Sequence, residues 1–251
     1  MKRLLNLLKG KAPAAPLPPP QADTPFSVVG DLHGCAALMD KLLSRLPGAD
    51  EAHLVFVGDY IDRGDDSAGV LRRLADLRAA HGDRVICLKG NHEDMLLKFL
   101  DDPEERGQRF LRYGGLQTLA SFSIGGVSER STGMELVTAR NRLRDAMGSE
   151  RISLLKGLQL QWSSGNITVV HAAADPDLPM DEQDSRTLMW GHPDFLKQAR
   201  SDGTWIAHGH TIIDSATIAG GRIAVDTGAY ATGRLSAVHA GGSDIRVITT
   251  D

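Results

Sequence analysis

Asp31 and His33 stand two residues apart in GDLHG, a spacing that on an extended segment turns a carboxylate and an imidazole to the same side. Alone, that triplet reads more simply as a turn aspartate beside a surface histidine. Asp59 in GDYIDRG, Asn91 in GNHE, His171 in VVHA and His210 in GHT change the weighing, because each follows an apolar, strand-like run. Carboxylate oxygen, amide oxygen and imidazole nitrogen suit Mn²⁺, Fe or Zn²⁺, and no thiolate accompanies them as a structural zinc knot would require. Two ions sharing one carboxylate would engage all six side chains. Paired ions about 3.5–4 Å apart clamp a phosphoryl group and activate a water, so the chemistry implied is phosphoester hydrolysis.

Two neighbours have the types that such a reaction needs. His92 has a side chain whose ordinary pKa, about 6.5, suits a proton donor near neutral pH when a carboxylate such as Asp62 stabilises its charged form. Arg63 offers a planar fork matched to phosphate oxygens. Plainer readings stand beside these: Asp62 and Arg63 could pair with each other in a turn, and Asn91 could cap a helix ahead of Glu93. His53, His81 and His239 read as solvated or strand-face residues, and His208 as a strand residue or a group behind the ligands. Cys35 lacks an arginine six positions on, where Lys41 stands, so a cysteine-nucleophile phosphatase loop is absent. So is a G-x-x-x-x-G-K phosphate loop.

The elements that must position these groups follow from periodicity. Phe26 to Val29, Leu54 to Val57 and Val85 to Lys89 are apolar runs ending at clusters that begin at 30, 58 and 90, about one strand-helix-strand step apart. Leu38, Leu42, Leu43 and Leu46, then Val70, Leu71, Leu74 and Leu77, recur at helical spacing between them. This predicts a parallel start to a sheet, with all three clusters beyond the carboxyl ends of its strands, where α/β sheets bind ligands. Residues from 95 to 158 read as mostly helical, an insertion over the site. Strand character returns at 167–170 and 205–207, and at 222–226, 234–238 and 245–249, where short turns predict an antiparallel end.

GDLHG, GDYIDRG and GNHE, followed by VVHA and GHT, resemble the phosphoprotein phosphatase branch of the calcineurin-like metallophosphoesterases. FLRYGGLQTLASF and AVDTGAYATGRLSAV are similar to bacterial members of that branch, and the likeness runs from Phe26 onward. The resemblance implies an α/β fold: a two-sheet β-sandwich core flanked by helices, with a helical insert over the active site. It implies Asp31 and His33 on a first metal, Asp59 bridging, and Asn91, His171 and His210 with Asp59 on a second. The ions would be Mn²⁺, with Fe or Zn²⁺ as alternatives, and a hydroxide they hold would attack phosphorus in line. His92 would act as general acid, oriented by Asp62, while Arg63 and Asn91 hold the phosphate. Two positions depart from the pattern. Ile212 replaces the second histidine of G-H-x-H, and His192 stands where relatives carry an arginine two residues after the tryptophan, here Trp190. His192, Arg186 or Arg200 would have to supply that second contact.

With 251 residues, 41% of them hydrophobic, the sequence suits one large domain from residue 25 to 251. A net charge of -4 without extended basic runs argues against nucleic acid as a partner. Cys35 and Cys87 are too few for a disulfide scaffold, which points to a reduced, cytoplasmic setting. Residues 1–24 read as a basic, Pro-rich flexible tail. Asn6, Lys9 and Lys11 interrupt what would otherwise resemble a signal peptide, and Pro13 with Pro16 gives a P-x-x-P spacing that could meet a partner or, with the basic stretch, a membrane surface. No run is long and apolar enough to cross a membrane. Three functions follow: a serine/threonine or dual-specificity protein phosphatase, a symmetrical dinucleoside tetraphosphatase or related nucleotide hydrolase, and a non-catalytic partner-binding module.

Overall fold

The apolar runs ahead of the three glycine-led clusters form strands, and the leucine repeats between them form helices. The computed structural model describes residues 17–48 and 50–251. In chain order its elements are β1 (Phe26–Val29), α1 (Ala36–Leu43), β2 (His53–Phe56), α2 (Ser67–His81), β3 (Val85–Cys87), α3 (Asn91–Asp101), α4 (Pro103–Phe110), α5 (Leu116–Ser121) and α6 (Met134–Lys156). There follow β4 (Gln161–Ser164), β5 (Ile167–Val170), α7 (Ser185–Trp190), β6 (Trp205–His208), β7 (Thr217–Ala219), β8 (Arg222–Ala224), α8 (Ala229–Thr232), β9 (Ser236–Gly241) and β10 (Asp244–Thr249).

The strands make two five-stranded sheets, ordered β10-β9-β1-β2-β3 and β4-β5-β6-β8-β7. The parallel start is present, with Val28 opposite Val55 and Val55 opposite Ile86. Because side chains alternate along a strand, Phe26, Val28, Val55, Ile86 and Val238 face Ile167, Val169, Trp205 and Ile223 in the layer between the sheets. Val29, Leu54, Phe56 and Cys87 face the other way, onto Leu42, Leu71, Leu74, Phe99 and Phe110 of the helices. Both faces are thus buried, which is why these strands read as unbroken apolar runs.

The closing strands differ from the expectation in part. β9 and β10 form an antiparallel hairpin, but β8 belongs to the second sheet and runs parallel to β6, so the chain changes sheets between residues 224 and 236. β4 and β7 have no counterpart in the sequence reading. Both are edge strands with largely exposed, polar or short sequences, QWSS and TIA, that carry no apolar alternation.

The boundary drawn at residue 24 also moves. Residues 17–24 lie against the second sheet: the Trp205 indole N–H donates to the Pro18 carbonyl at 2.7 Å, and Asn166 takes the Gln21 N–H (2.7 Å) while donating to the Pro19 carbonyl (3.0 Å). Ala22 is buried, and its N–H donates to the Gly242 carbonyl. Prolines withhold N–H groups but keep carbonyls, so this stretch serves as a row of acceptors for neighbours that need one. The basic stretch and Pro13 with Pro16 lie outside the described residues. Among the described residues no helix is long and apolar enough to cross a membrane.

Asn166→Ala removes both side-chain bonds to this segment, and we expect it to lower unfolding stability by about 1–2 kcal/mol, read from urea midpoints.

Candidate metal centre

The site is assembled around Glu93, on the first turn of α3 and fully buried. Its Oε2 accepts the N–H groups of Asp59 (2.8 Å) and Gly90 (3.0 Å), and Oε1 accepts that of Tyr60 (2.8 Å). The loops after β2 and β3 are thereby fixed to one carboxylate. The Asp59 carbonyl in turn accepts the N–H groups of Leu32 and His33 at 3.1 and 2.8 Å, which brings in GDLHG. From the second sheet, the Gly209 N–H donates to the His171 carbonyl, and the His210 N–H lies 3.1 Å from both oxygens of Asp31.

Such close approach leaves no room for a side chain at Gly58. With φ at +119°, a Cβ there would sit 2.6 Å from the Gly90 nitrogen and 3.0 Å from His171 Nδ1. Nearby residues without that freedom are held in the left-handed region all the same. Among the described residues, six non-glycine residues have positive φ, and five of them are His33, Asp59, Asp62, Arg63 and His210. Each such residue costs on the order of 1 kcal/mol, sustained by the hydrogen-bonded frame.

Asp59 Oδ2 is the common point. The Nε2 atoms of His33, His171 and His92 lie 3.6, 3.5 and 3.8 Å from it. His33 donates its Nδ1–H to the Ile61 carbonyl (2.8 Å) and His171 to that of Val57 (3.1 Å), so each presents an Nε2 lone pair inward. Burial keeps both imidazoles neutral, pushing His33 down to about 3 and lowering His171 as well. Asn91 Oδ1, another lone-pair atom, faces His171 Nε2 at 2.9 Å. His33, Asp59 and His92 form one group of donors close enough to hold an ion, and Asp59, His171 and His210 another. Asp31 stands beside them, tied to the His210 N–H.

The carboxylate load calls for cations as well. Asp31, Asp59, Asp62, Glu93 and Asp226 are all buried. Burial, with Asp226 and Asp59 adding repulsion, raises Asp31 well above the carboxylate range; burial and Asp59 push Glu93 up to about 8, and burial pushes Asp226 up to about 6. Asp59 alone is held low, because His171, His92 and His33 together outweigh its burial. A set of buried carboxyls that cannot all ionise, with imidazole lone pairs aimed among them, fits divalent ions.

His92 sits apart in kind. Its Nδ1–H donates to Asp62 Oδ2 at 2.6 Å, while Nε2 is buried with no hydrogen-bond partner among the described residues. Burial works against the imidazolium, but Asp59 and Asp62 overcome it and raise the pKa. Asp62 is braced from behind: Thr118 Oγ1 donates to its Oδ1 at 2.6 Å, and its own N–H donates to Thr118 Oγ1 and Ser67 Oγ. Arg63 emerges beside them, its guanidinium 5.0 Å from the Tyr230 ring, at a pocket of about 400 Å³ that Tyr113 and Arg112 also line. Gly114, at φ +109°, lets the insert approach: a Cβ there would meet the Arg63 nitrogen at 2.6 Å.

Of the three candidates for a further phosphate contact, Arg200 is committed elsewhere. Its guanidinium donates to the Asp175 and Leu178 carbonyls and pairs with Asp202. His192 lies 3.5 Å from Asp175, whereas Arg186 lines a separate cleft with Arg109 and Trp190. Sequence reasoning missed Tyr113, Thr118, Asp226 and Tyr230 as site residues. All four lie in FLRYGGLQTLASF or AVDTGAYATGRLSAV, stretches without a metal-ligand pattern of their own.

Residues 24–214 match the family model of the calcineurin-like phosphoesterases. The chain belongs to that family. Members of this family use a dinuclear metal centre. It is similar to the serine/threonine-protein phosphatase 4 catalytic subunit of Saccharomyces cerevisiae, at 33% identity over 73 residues, 29% of this chain and 24% of that one. It therefore spans about a quarter of that relative's length. An asymmetrical bis(5'-nucleosyl)-tetraphosphatase of Oceanobacillus iheyensis is 26% identical over 212 residues, covering 74% of this chain and 76% of that one. A serine/threonine phosphatase structure from Saccharomyces cerevisiae superposes with a TM-score of 0.61 at 16% identity, covering 91% of this chain and 80% of that one, which shows the shared fold.

Two outcomes test this centre. Glu93→Gln keeps one acceptor and turns an NH₂ group against the backbone donors; we expect a loss of about 1–3 kcal/mol of stability and at least a tenfold weaker Mn²⁺ affinity by calorimetry. In chelator, stability should fall as pH rises from about 6.5 to 8. There the folded chain holds protons on Glu93 and His92 that the unfolded chain releases. Below about 6.5 the fall is opposed, because burial holds His33, His208 and His210 neutral where the unfolded chain would protonate them. Mn²⁺ should flatten the upper limb by keeping the carboxylates ionised, as urea midpoints at the two pH values would show.

Proposed function

We propose that this calcineurin-like phosphoesterase hydrolyses phosphoserine and phosphothreonine in proteins. The observation that carries the reading is the His92–Asp62 pair, whose single free imidazole nitrogen faces the donor cluster. A serine or threonine alkoxide leaves poorly unless it is protonated as the bond to phosphorus breaks, whereas a nucleotide phosphate leaves readily without a proton. A buried histidine with a raised pKa and one unpartnered nitrogen is suited to the first task.

Asp31, His33, Asp59, Asn91, His171 and His210 would hold two divalent ions, Mn²⁺ in the first place. When bound, such ions draw in the phosphoryl group and activate the attacking water. The chain's own groups do the rest. Arg63 binds the equatorial phosphate oxygens, its planar group steadied by Tyr230. Asp62 fixes the His92 tautomer with the proton-bearing Nδ1 turned away, and in the charged form Nε2 holds the proton that passes to the departing oxygen. Thr118 and Ser67 hold Asp62 in place, so the pair is preorganised before substrate arrives.

A second reading, hydrolysis of a dinucleoside polyphosphate, draws support from the Oceanobacillus iheyensis relative, which matches most of both chains.

A phosphoserine peptide and diadenosine tetraphosphate, assayed side by side with Mn²⁺-loaded protein, separate the two. We expect the peptide to be preferred, chelation to abolish turnover, and His92→Asn to lower kcat on the peptide by about 10²–10⁴-fold while leaving calorimetric Mn²⁺ binding intact. Preference for the dinucleotide, with little effect of His92→Asn, would overturn the protein phosphatase reading.

A further inference from the structure

Where α3 and α4 face α7 there is a cleft of about 300 Å³ whose wall carries Lys98, Arg106, Arg109 and Arg186. Asp94 is its one acid, and Lys98 Nζ already holds it at 2.7 Å. In a chain of net charge -4, that is a local excess of three guanidinium groups. None of the three donates a side-chain hydrogen bond or forms an ion pair among the described residues. Asp184 feels the charge of Arg186, but its oxygens cap α7, accepting the Arg186 and Thr187 N–H groups and the Thr187 hydroxyl. Arg106 and Arg109 are three residues apart and so share one face of α4.

The cleft adjoins the reaction site. The Arg109 guanidinium lies 4.7 Å from the Trp190 ring and 5.7 Å from that of Tyr113, and the Tyr113 ring is 6.5 Å from that of His92. Tyr113 lines the pocket over Arg63, so Arg109, on the wall of the cleft, touches a ring that belongs to the neighbouring pocket. Met95, one helical turn past Asn91 and His92, reaches the cleft floor.

We propose that this cleft is a specificity subsite that binds acidic side chains flanking the phosphorylated residue of a peptide. The proposal rests on the protein phosphatase reading above. Unpaired guanidinium groups on two facing helices suit carboxylates spaced along an extended chain, and each offers a fork for one. A nucleotide base would need an open aromatic face, and Arg109 already covers the Trp190 ring.

The test uses the Mn²⁺-loaded full chain and three phosphoserine peptides that differ only in flanking residues: glutamates, alanines or lysines. We expect kcat/KM for the glutamate peptide to exceed that for the alanine peptide by about fivefold at low salt, the scale of exposed charge pairs, and the ratio to approach one in Arg106→Ala/Arg186→Ala. Arg106→Glu should shift preference toward the lysine peptide. Because each readout is a ratio within one protein, a general loss of activity does not mimic it. Turnover of all three peptides with no preference, or a preference the variants retain, would overturn the subsite alone. Turnover of none of them, with diadenosine tetraphosphate hydrolysed, would overturn the protein phosphatase reading and the subsite with it.

Discussion

One carboxylate with three backbone N–H groups on it, that of Glu93, is the constraint from which the site follows. The loops after β2 and β3 carry Asp59, Asp62, Arg63, Asn91 and His92, and the first of them holds Asp59, Asp62 and Arg63 at backbone angles they would not choose unaided. Because Glu93 binds Asp59, Tyr60 and Gly90 through their main chains, it sets the loops without depending on their side chains. The left-handed residues persist because the frame around them is over-determined. The glycine at 58 lets the frame close up.

The same packing creates the electrostatic problem that the centre answers. Five buried carboxyls and several neutral imidazoles form a poor interior by the rules that govern stability. Carbonyl groups of the strand ends and loops fix the histidine tautomers so that lone pairs, not protons, face inward. His92 differs from His33 and His171, because a carboxylate rather than a carbonyl takes its Nδ1–H, and that carboxylate favours the charged imidazole.

What the sequence disclosed was local: each of GDLHG, GDYIDRG and GNHE announces a strand end and the side chains it delivers within a few residues. The parallel register and the two core layers were likewise legible, since the apolar runs are buried on both faces. What it concealed depends on distant contacts. Thr118 reaches Asp62 from the insert, 56 residues on, and nothing in FLRYGGLQTLASF marks one threonine above its neighbours. Arg200 looked available until the carbonyls of Asp175 and Leu178 closed on it. Residues 17–24 are compositionally a tail, and only Trp205 and Asn166, in need of acceptors, reveal them as part of the second sheet's surroundings. β4 and β7 were illegible because edge strands need not alternate.

The strand order β10-β9-β1-β2-β3 bears on how the molecule comes together in time. β1 lies in the middle of its sheet, with β2 on one flank soon after it in the chain and β9 on the other, Val28 opposite Val238. During synthesis that second flank stays unpaired while the helical insert and the whole of the other sheet emerge, a long-range closure that slows folding and leaves a sticky edge exposed. The connection that carries Asp226 and, on α8, Tyr230 leads into β9. The candidate metal centre and the sheet are therefore completed in the same late event, and a chain stalled before it would have the loops after β1, β2 and β3 without their far wall.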